Sequence, residues 1–249
     1  MGSTERHATF EDLDSLSAAA AELIGEASRG AITERGRFVV ALAGGSTPRR
    51  LYALLAEPAW RDQLDWARWH VFLGDERMAP LDDQQSNFRM AHDALLAHVP
   101  IPAAQIHRPR TDLGDAAATA RDYEARIRAF FGDEPETPRF DLVLLGMGSD
   151  GHTASLFPGK PALAETERLV VGSSPGVLPP AIDRITFTFP LLNAARAACF
   201  LVAGADKWPA LQAMQARADP ERPPAARVQP TDGHLHWLLD AAASGASLG

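Results

Sequence analysis

The chain reads as an α/β fold: a single doubly wound, mostly parallel sheet flanked by helices. Three observations predict it. Short, branched apolar runs bounded by glycine or charge recur along the chain, which is how strands buried on both faces read. Segments with helical spacing lie between those runs. Strand, helix and strand repeated this way imply parallel neighbours joined by crossovers, with helices over the sheet.

In chain order, a helix is predicted over Leu13 to Ala27, a strand over Phe38 to Leu42 (FVVAL), and a helix over Arg49 to Ala56. A strand at Val71 to Leu73 precedes a helix over Asn87 to Val99, with Ser86 as its N-cap. A helix over Ala116 to Phe131 leads to the strand Leu142 to Leu145 (LVLL), and a further buried run covers Leu169 to Val171. Ile185, Phe187 and Phe189 alternate with Thr186 and Thr188, which predicts a strand with one polar face. The run Phe200 to Val202 and a helix over Ala205 to Ala216 complete the pattern. Pro-rich or charged stretches, "HVPIPAAQIHRPRTDLGD", "FGDEPETPRF" and "ADPERPPAARVQPTDG", read as loops, none long enough to link domains. Residues 1–249 are therefore expected to form one domain.

Composition narrows the function classes. A length of 249 residues with 46% hydrophobic content supports a substantial core. The formal net charge of −8 argues against a sequence-independent nucleic-acid binder and against anionic membrane surfaces. An anionic substrate would need a locally built positive site. The single cysteine, Cys199, lies in the apolar run "AACFLVAG", so no internal disulfide can form and the thiol is expected in the core. The start of the chain has no apolar h-region, and no apolar run approaches the ~20 residues that cross a bilayer. A soluble, cytoplasmic protein is expected. No heptad seam is evident, so a monomer is expected, with a homodimer the alternative.

In a doubly wound sheet, ligands bind beyond the carboxyl ends of the strands, and three loops there carry chemistry. The first, "ALAGGSTPRRLY", runs from the strand at 38–42 through Gly44, Gly45, Ser46 and Thr47 into a helix. Glycines admit a phosphate close to backbone N–H groups, the two hydroxyls add donors, and the helix dipole favours negative charge there. Equally, the loop describes a tight connection with Ser46 or Thr47 as N-cap. It is neither a Walker A loop nor a G-x-G-x-x-G fingerprint.

The second loop, "FLGDERMAPLDDQQSNFRMA", places Asp75, Glu76 and Arg77 at a strand end. The guanidinium is suited to clamp an oxyanion while the acids hold its geometry, and the same residues also describe a solvated charged turn. The third, "LLGMGSDGHTASLFPG", puts Gly148, Asp150 and His152 after the strand at 142–145, followed by an apparent helical turn at Thr153 to Phe157. A neutral imidazole accepts a proton at physiological pH, and a carboxylate two residues away can fix its tautomer.

Other features weigh less. His234 and His236 form an H-x-H pair with no acid or thiol placed to complete a metal site, so no metal is expected. Lys207, one of two lysines, opens a helix after "FLVAGADKW" and should reach the same sheet edge.

Together these segments, with "RITFTFPLLNAA" and "PAARVQPTDGHLHWLLDAAA", resemble the 6-phosphogluconolactonases of the oxidative pentose phosphate pathway, in the family's order over nearly the whole chain. The resemblance implies hydrolysis of 6-phospho-D-glucono-1,5-lactone to 6-phosphogluconate without metal or organic cofactor. The family's catalytic histidine matches His152, which would deprotonate the attacking water, with Asp150 orienting its imidazole. The sugar-phosphate contacts match Gly44, Gly45, Ser46, Thr47, Arg77 and Lys207. Backbone N–H groups of the loop from Gly148 to Gly151 are the physical candidates for the oxyanion.

The glucosamine-6-phosphate deaminases share the fold and are the nearest alternative. That family carries a glutamate before the Pro-Gly that follows the histidine, and here Phe157 precedes Pro158 and Gly159. A non-catalytic sugar-phosphate sensor, as in some transcriptional regulators, would call for a basic helix-turn-helix. The first 35 residues instead predict one helix rich in acids. A Rossmann dehydrogenase lacks its fingerprint.

Overall fold

A computed structural model describes residues 4–132, 137–177, 180–216 and 222–245. Strands in chain order are β1 (Thr4–Phe10), β2 (Phe38–Leu42), β3 (Trp69–Leu73), β4 (Asp75–Arg77), β5 (Ile106–His107), β6 (Leu142–Gly146), β7 (Val170–Ser173), β8 (Arg184–Phe187), β9 (Ala197–Val202) and β10 (His234–Asp240). The helices are α1 (Leu13–Arg35), α2 (Ser46–Ala56), α3 (Pro58–Arg61), α4 (Asn87–Ala91), α5 (Ala116–Phe131), α6 (Phe189–Asn193), α7 (Trp208–Ala216) and α8 (Ala241–Ser244).

The main sheet has seven strands in the order β1-β10-β9-β6-β2-β3-β5, every pairing parallel. Strand alternation divides its apolar side chains between two cores. Phe38, Val40 and Leu42 pack with Leu16, Ile24 and Leu51 of α1 and α2, whereas Val39 and Ala41 pack with Tyr123 and Ile127 of α5. Both faces are therefore covered, as a doubly wound sheet requires. The local signals agree with this arrangement. Helix α1 opens on a reciprocal capping box between Asp12 and Ser15 and stops at Gly36, whose φ of 72° is the left-handed conformation glycine favours.

A second, three-stranded antiparallel sheet, β4-β8-β7, was not foreseen. The run at Leu169 to Val171, expected as a parallel strand, belongs to it as β7. The predicted strand through Phe189 ends at Phe187, because Phe189 begins α6 with Pro190 in its first turn. Its polar face also does not meet solvent. Thr186 and Thr188 are fully buried, Thr186 accepting from the Ser155 N–H at 3.1 Å and Thr188 donating to the Arg168 carbonyl at 2.6 Å. Gly74 joins the two sheets, its N–H donating to Leu42 and its carbonyl accepting from Phe187.

Further differences are local. The helix expected over Asn87 to Val99 is α4 followed by one π turn over His92–Leu96, capped as predicted by Ser86, which accepts from the Arg89 N–H at 3.1 Å. The segment at Thr153 to Phe157 is a turn closed by a Thr153–Leu156 bridge, with Ala154 at φ 47°, and not a helical turn. The helix at Ala205 starts as a 3-10 turn through Lys207 before α7. Cys199 is buried as expected, and burial pushes its thiol up to about 12. The predicted loops at 131–140 and 218–233 lie partly outside the described residues. Among the described residues no helix is long and apolar enough to cross a membrane.

Candidate active site

The three predicted loops and Lys207 line one cavity of about 390 Å³ at the carboxyl ends of β2, β3, β6 and β9. Strands β2 and β6 are neighbours whose chains continue to opposite sides, to β3 and to β9, so the crevice sits at the topological switch point of the sheet.

The loop after β2 is built for close approach. Gly45 is the N-cap of α2, at φ 104°, and no side chain caps the helix. Ser46 and Thr47 are the first helical residues and not the cap, so they line the cavity beside the free end of α2. Gly44 leaves no room for a side chain, since a Cβ there would fall 1.9 Å from the Asn87 Oδ1. Tyr52, nearly two turns into α2, fixes the loop from behind: its hydroxyl accepts from the Ala43 N–H at 3.0 Å and donates to the Ala43 carbonyl at 2.9 Å.

The acids of the Asp75-Glu76-Arg77 triplet do not grip the arginine side chain, contrary to expectation. Glu76 is fully buried and accepts from the backbone N–H groups of Arg77, Asn87 and Phe88 at 2.7–2.8 Å and from the Ser86 hydroxyl at 3.2 Å. It thereby ties the strand end to the first turn of α4. Burial pushes its carboxyl up to about 7 despite those donors. Asp75 accepts from the Ser155 hydroxyl at 2.7 Å and from the Asn87 amide, joining this loop to the histidine loop. The Arg77 guanidinium donates to the Gln85 carbonyl at 2.8 Å, while its Nε is buried without a partner among the described residues.

Asp150 and His152 face each other as the spacing predicted, with Asp150 Oδ1 at 2.6 Å from His152 Nδ1 and accepting the His152 N–H at 3.1 Å. Burial works to raise the Asp150 carboxyl, but the hydrogen bonds and charge of His152 hold it below its ordinary value. Gly148 is obligatory beside this pair, because a Cβ would lie 2.1 Å from Nδ1. The N–H groups of Gly148 and Gly151 are spent inside the loop, donating to His152 and Gly148 carbonyls at 2.9 Å. They are not free for an oxyanion, which narrows that expectation to the N–H groups of Ser149 and Asp150. The Phe157 ring lies 4.6 Å from the imidazole.

Lys207 lines the cavity, its ammonium 2.9 Å from Asp206. Sequence reasoning missed two further lining residues, Arg184 and Asn87. Arg184 opens β8, is 4% exposed, stacks its guanidinium 5.0 Å above the Phe157 ring, and has an Nε without a partner among the described residues. Burial pulls it below the usual arginine range; Asp75 opposes this and Arg77 adds to it. Its signal was an arginine heading an otherwise apolar and threonine strand, a residue rarely buried without a task. His234 and His236 sit on β10 with their rings 6.2 Å apart, away from this cavity.

Residues 11–237 match the model of the glucosamine-6-phosphate isomerases/6-phosphogluconolactonase family. A 6-phosphogluconolactonase of Synechocystis sp. is 49% identical over 213 residues, covering 84% of this chain and 85% of the relative. One from Nostoc sp. is 47% identical over 86% of each. Among solved structures, 6-phosphogluconolactonase from Trypanosoma brucei superposes with a TM-score of 0.87 at 30% identity, covering 98% of this chain and 99% of that one. A monomeric glucosamine-6-phosphate deaminase superposes at 0.78 with 21% identity, covering 98% and 100%, a likeness of fold alone. With that match and those relatives, the chain belongs to the glucosamine-6-phosphate isomerase/6-phosphogluconolactonase family.

Proposed function

We propose that this chain hydrolyses 6-phospho-D-glucono-1,5-lactone to 6-phosphogluconate in the oxidative pentose phosphate pathway, with His152 as general base. The observation that carries the reading is the anchored imidazole, 2.6 Å from Asp150, in the same cavity as Arg77, Arg184, Lys207 and the loop Gly44 to Thr47. Base and phosphate-binding groups lie on separate elements, so a sugar phosphate can be held at one end while its lactone carbonyl meets the histidine.

In this reading Nδ1–H of His152 donates to Asp150, which leaves the lone pair on Nε2 for a water. Nε2 takes the proton as the water oxygen attacks C1, and the carbonyl electrons move to oxygen. Collapse of that tetrahedral species breaks the bond from C1 to the ring oxygen, and the imidazolium returns its proton to that oxygen. Asp150 is the positioning residue for this exchange. The guanidiniums and the ammonium bind the phosphate dianion, and the Nε–H groups of Arg77 and Arg184, without partners among the described residues, are charged donors suited to it.

Deaminase chemistry is disfavoured by Phe157. It is 1% exposed and packs on the imidazole, so the position where a ring-opening acid is needed offers no proton. We take the working unit to be a cytoplasmic monomer, since one chain supplies every group named here; light scattering of the purified protein tests the stoichiometry.

The deciding experiment is hydrolysis of freshly generated lactone, coupled to 6-phosphogluconate dehydrogenase and corrected for spontaneous opening, with wild type beside His152→Ala. The variant should lose about 10²–10⁴ in kcat while binding 6-phosphogluconate as before. A fully active variant, or an inactive wild type, refutes the assignment.

A further inference from the structure

A second cavity, of about 710 Å³, is lined by Met78 to Leu81, the segment that directly follows Arg77 of the first cavity, and shares no lining residue with that cavity. Its lining combines two chemistries: the apolar side chains of Met78, Pro80, Leu81 and Ile106, and the charged ones of Arg108, Arg110 and Arg126 with Asp112.

Three guanidiniums around one hollow are conspicuous in a chain of net charge −8. Their neutralisation is weak. Arg110 approaches Asp112 and Arg126 approaches Asp122 only to 3.9 Å, at the outer limit of an ion pair. Among the described residues Arg108 has no carboxylate partner and lies 5.7 Å from the Phe88 ring. Local hydrogen bonds hold the frame: Arg126 donates to the Arg108 carbonyl at 2.9 Å, and Thr111 donates to the Ala79 carbonyl at 2.8 Å, joining the two lining segments.

We propose that this cavity is a binding site for a nucleoside phosphate, distinct from the lactone site. Arginine forks recognise phosphoryl oxygens bidentately, and the apolar side chains of the same lining give a planar base a surface to lie on. The volume falls in the range of small-molecule sites, about 300–1,000 Å³. Inorganic phosphate alone would use only the arginines, and a nucleoside alone only the apolar side chains.

Isothermal titration calorimetry with ADP tests this, with adenosine and inorganic phosphate as partial ligands and 6-phosphogluconate as competitor. Saturable binding of ADP is expected, at least tenfold tighter than either partial ligand and unchanged by saturating 6-phosphogluconate. Arg110→Gln, a half-exposed position, and Leu81→Glu, which sets a carboxylate among the apolar side chains, should each weaken ADP at least tenfold, with lactonase activity and thermal midpoint retained. No saturable binding, binding that 6-phosphogluconate displaces, or affinity indifferent to both substitutions overturns the proposal. Because 6-phosphogluconate and ADP are titrated separately, failure here leaves the lactonase reading standing.

Discussion

Gly148→Ala isolates the catalytic geometry from everything else in the loop. The added methyl would lie 2.1 Å from Nδ1 and 2.3 Å from Cε1 of His152, and 2.6 Å from Oδ1 of Asp150. Comfortable contact needs about 3.5 Å, so the imidazole, the carboxylate or both must retreat by roughly 1 Å. Backbone strain does not contribute, since Gly148 is not among the glycines with positive φ. A displacement of about 1 Å from productive geometry costs on the order of 10²-fold, equivalent to about 2.7 kcal/mol in the barrier. The coupled lactone assay should therefore show kcat lowered by about two decades, with 6-phosphogluconate affinity within about threefold of wild type, because the phosphate groups sit on other elements. A folded variant with kcat within about threefold of wild type would mean that the His152–Asp150 pair does not set the rate. Loss of product binding would mean that this loop also carries the phosphate.

The remaining predictions concern the charged groups. Arg184→Gln should raise KM for the lactone about 10- to 100-fold with a much smaller change in kcat, the scale of one hydrogen bond to a charged group, and Lys207→Ala should act in the same direction. Steady-state kinetics in which both substitutions leave KM untouched would remove the phosphate from this end of the cavity. Glu76 gives a pH test. Its folded carboxyl, raised by burial to about 7 from 4.5, binds its proton more tightly than the unfolded chain does, so the stability it contributes is full below 4.5 and is lost as pH rises through about 7. Glu76→Gln removes that titration, so denaturant melts should show the variant gaining on wild type between about pH 5 and about pH 8. A pH-independent difference would contradict this account.

The legible parts of the molecule are those written in local periodicity. Phe38–Leu42 and Leu142–Gly146 are continuous apolar runs because helices cover both faces of the sheet, and nothing polar can interrupt them. The loops that follow them were readable for the same reason, since a strand's carboxyl end points to the ligand. Edge strands were not readable. The β1 sequence, TERHATF, is largely exposed and has one neighbour, β10, so no apolar run marks it. In β10 the run is broken by His234 and His236. The small antiparallel sheet escaped notice because its pairing is non-local: β4 meets β8 more than a hundred residues later, and no spacing rule within either segment encodes that meeting.

That pairing gives the proposed phosphate site its cations in an acidic protein. The register of β4 on β8 sets Arg77 opposite Arg184, a like-charge rung that ordinarily costs stability. Among the described residues neither guanidinium forms an ion pair, and the only carboxylate charge that favours charged Arg184 is that of Asp75. Asp75 spends its oxygens on Ser155 and Asn87, and Glu76 is consumed by backbone N–H groups. The backbones of two arginines are thus held opposite each other, each with a buried Nε that has no partner among the described residues, and these are the donors the proposed reading gives to the phosphate dianion. The parallel sheet supplies the histidine and the glycine cradle from its strand ends, and the antiparallel sheet supplies the paired cations. The two meet at Gly74, which hydrogen-bonds Leu42 on one side and Phe187 on the other. Neither sheet alone supplies both the proposed base and the proposed anion site, so the proposed mechanism depends on how the second sheet is set against the first.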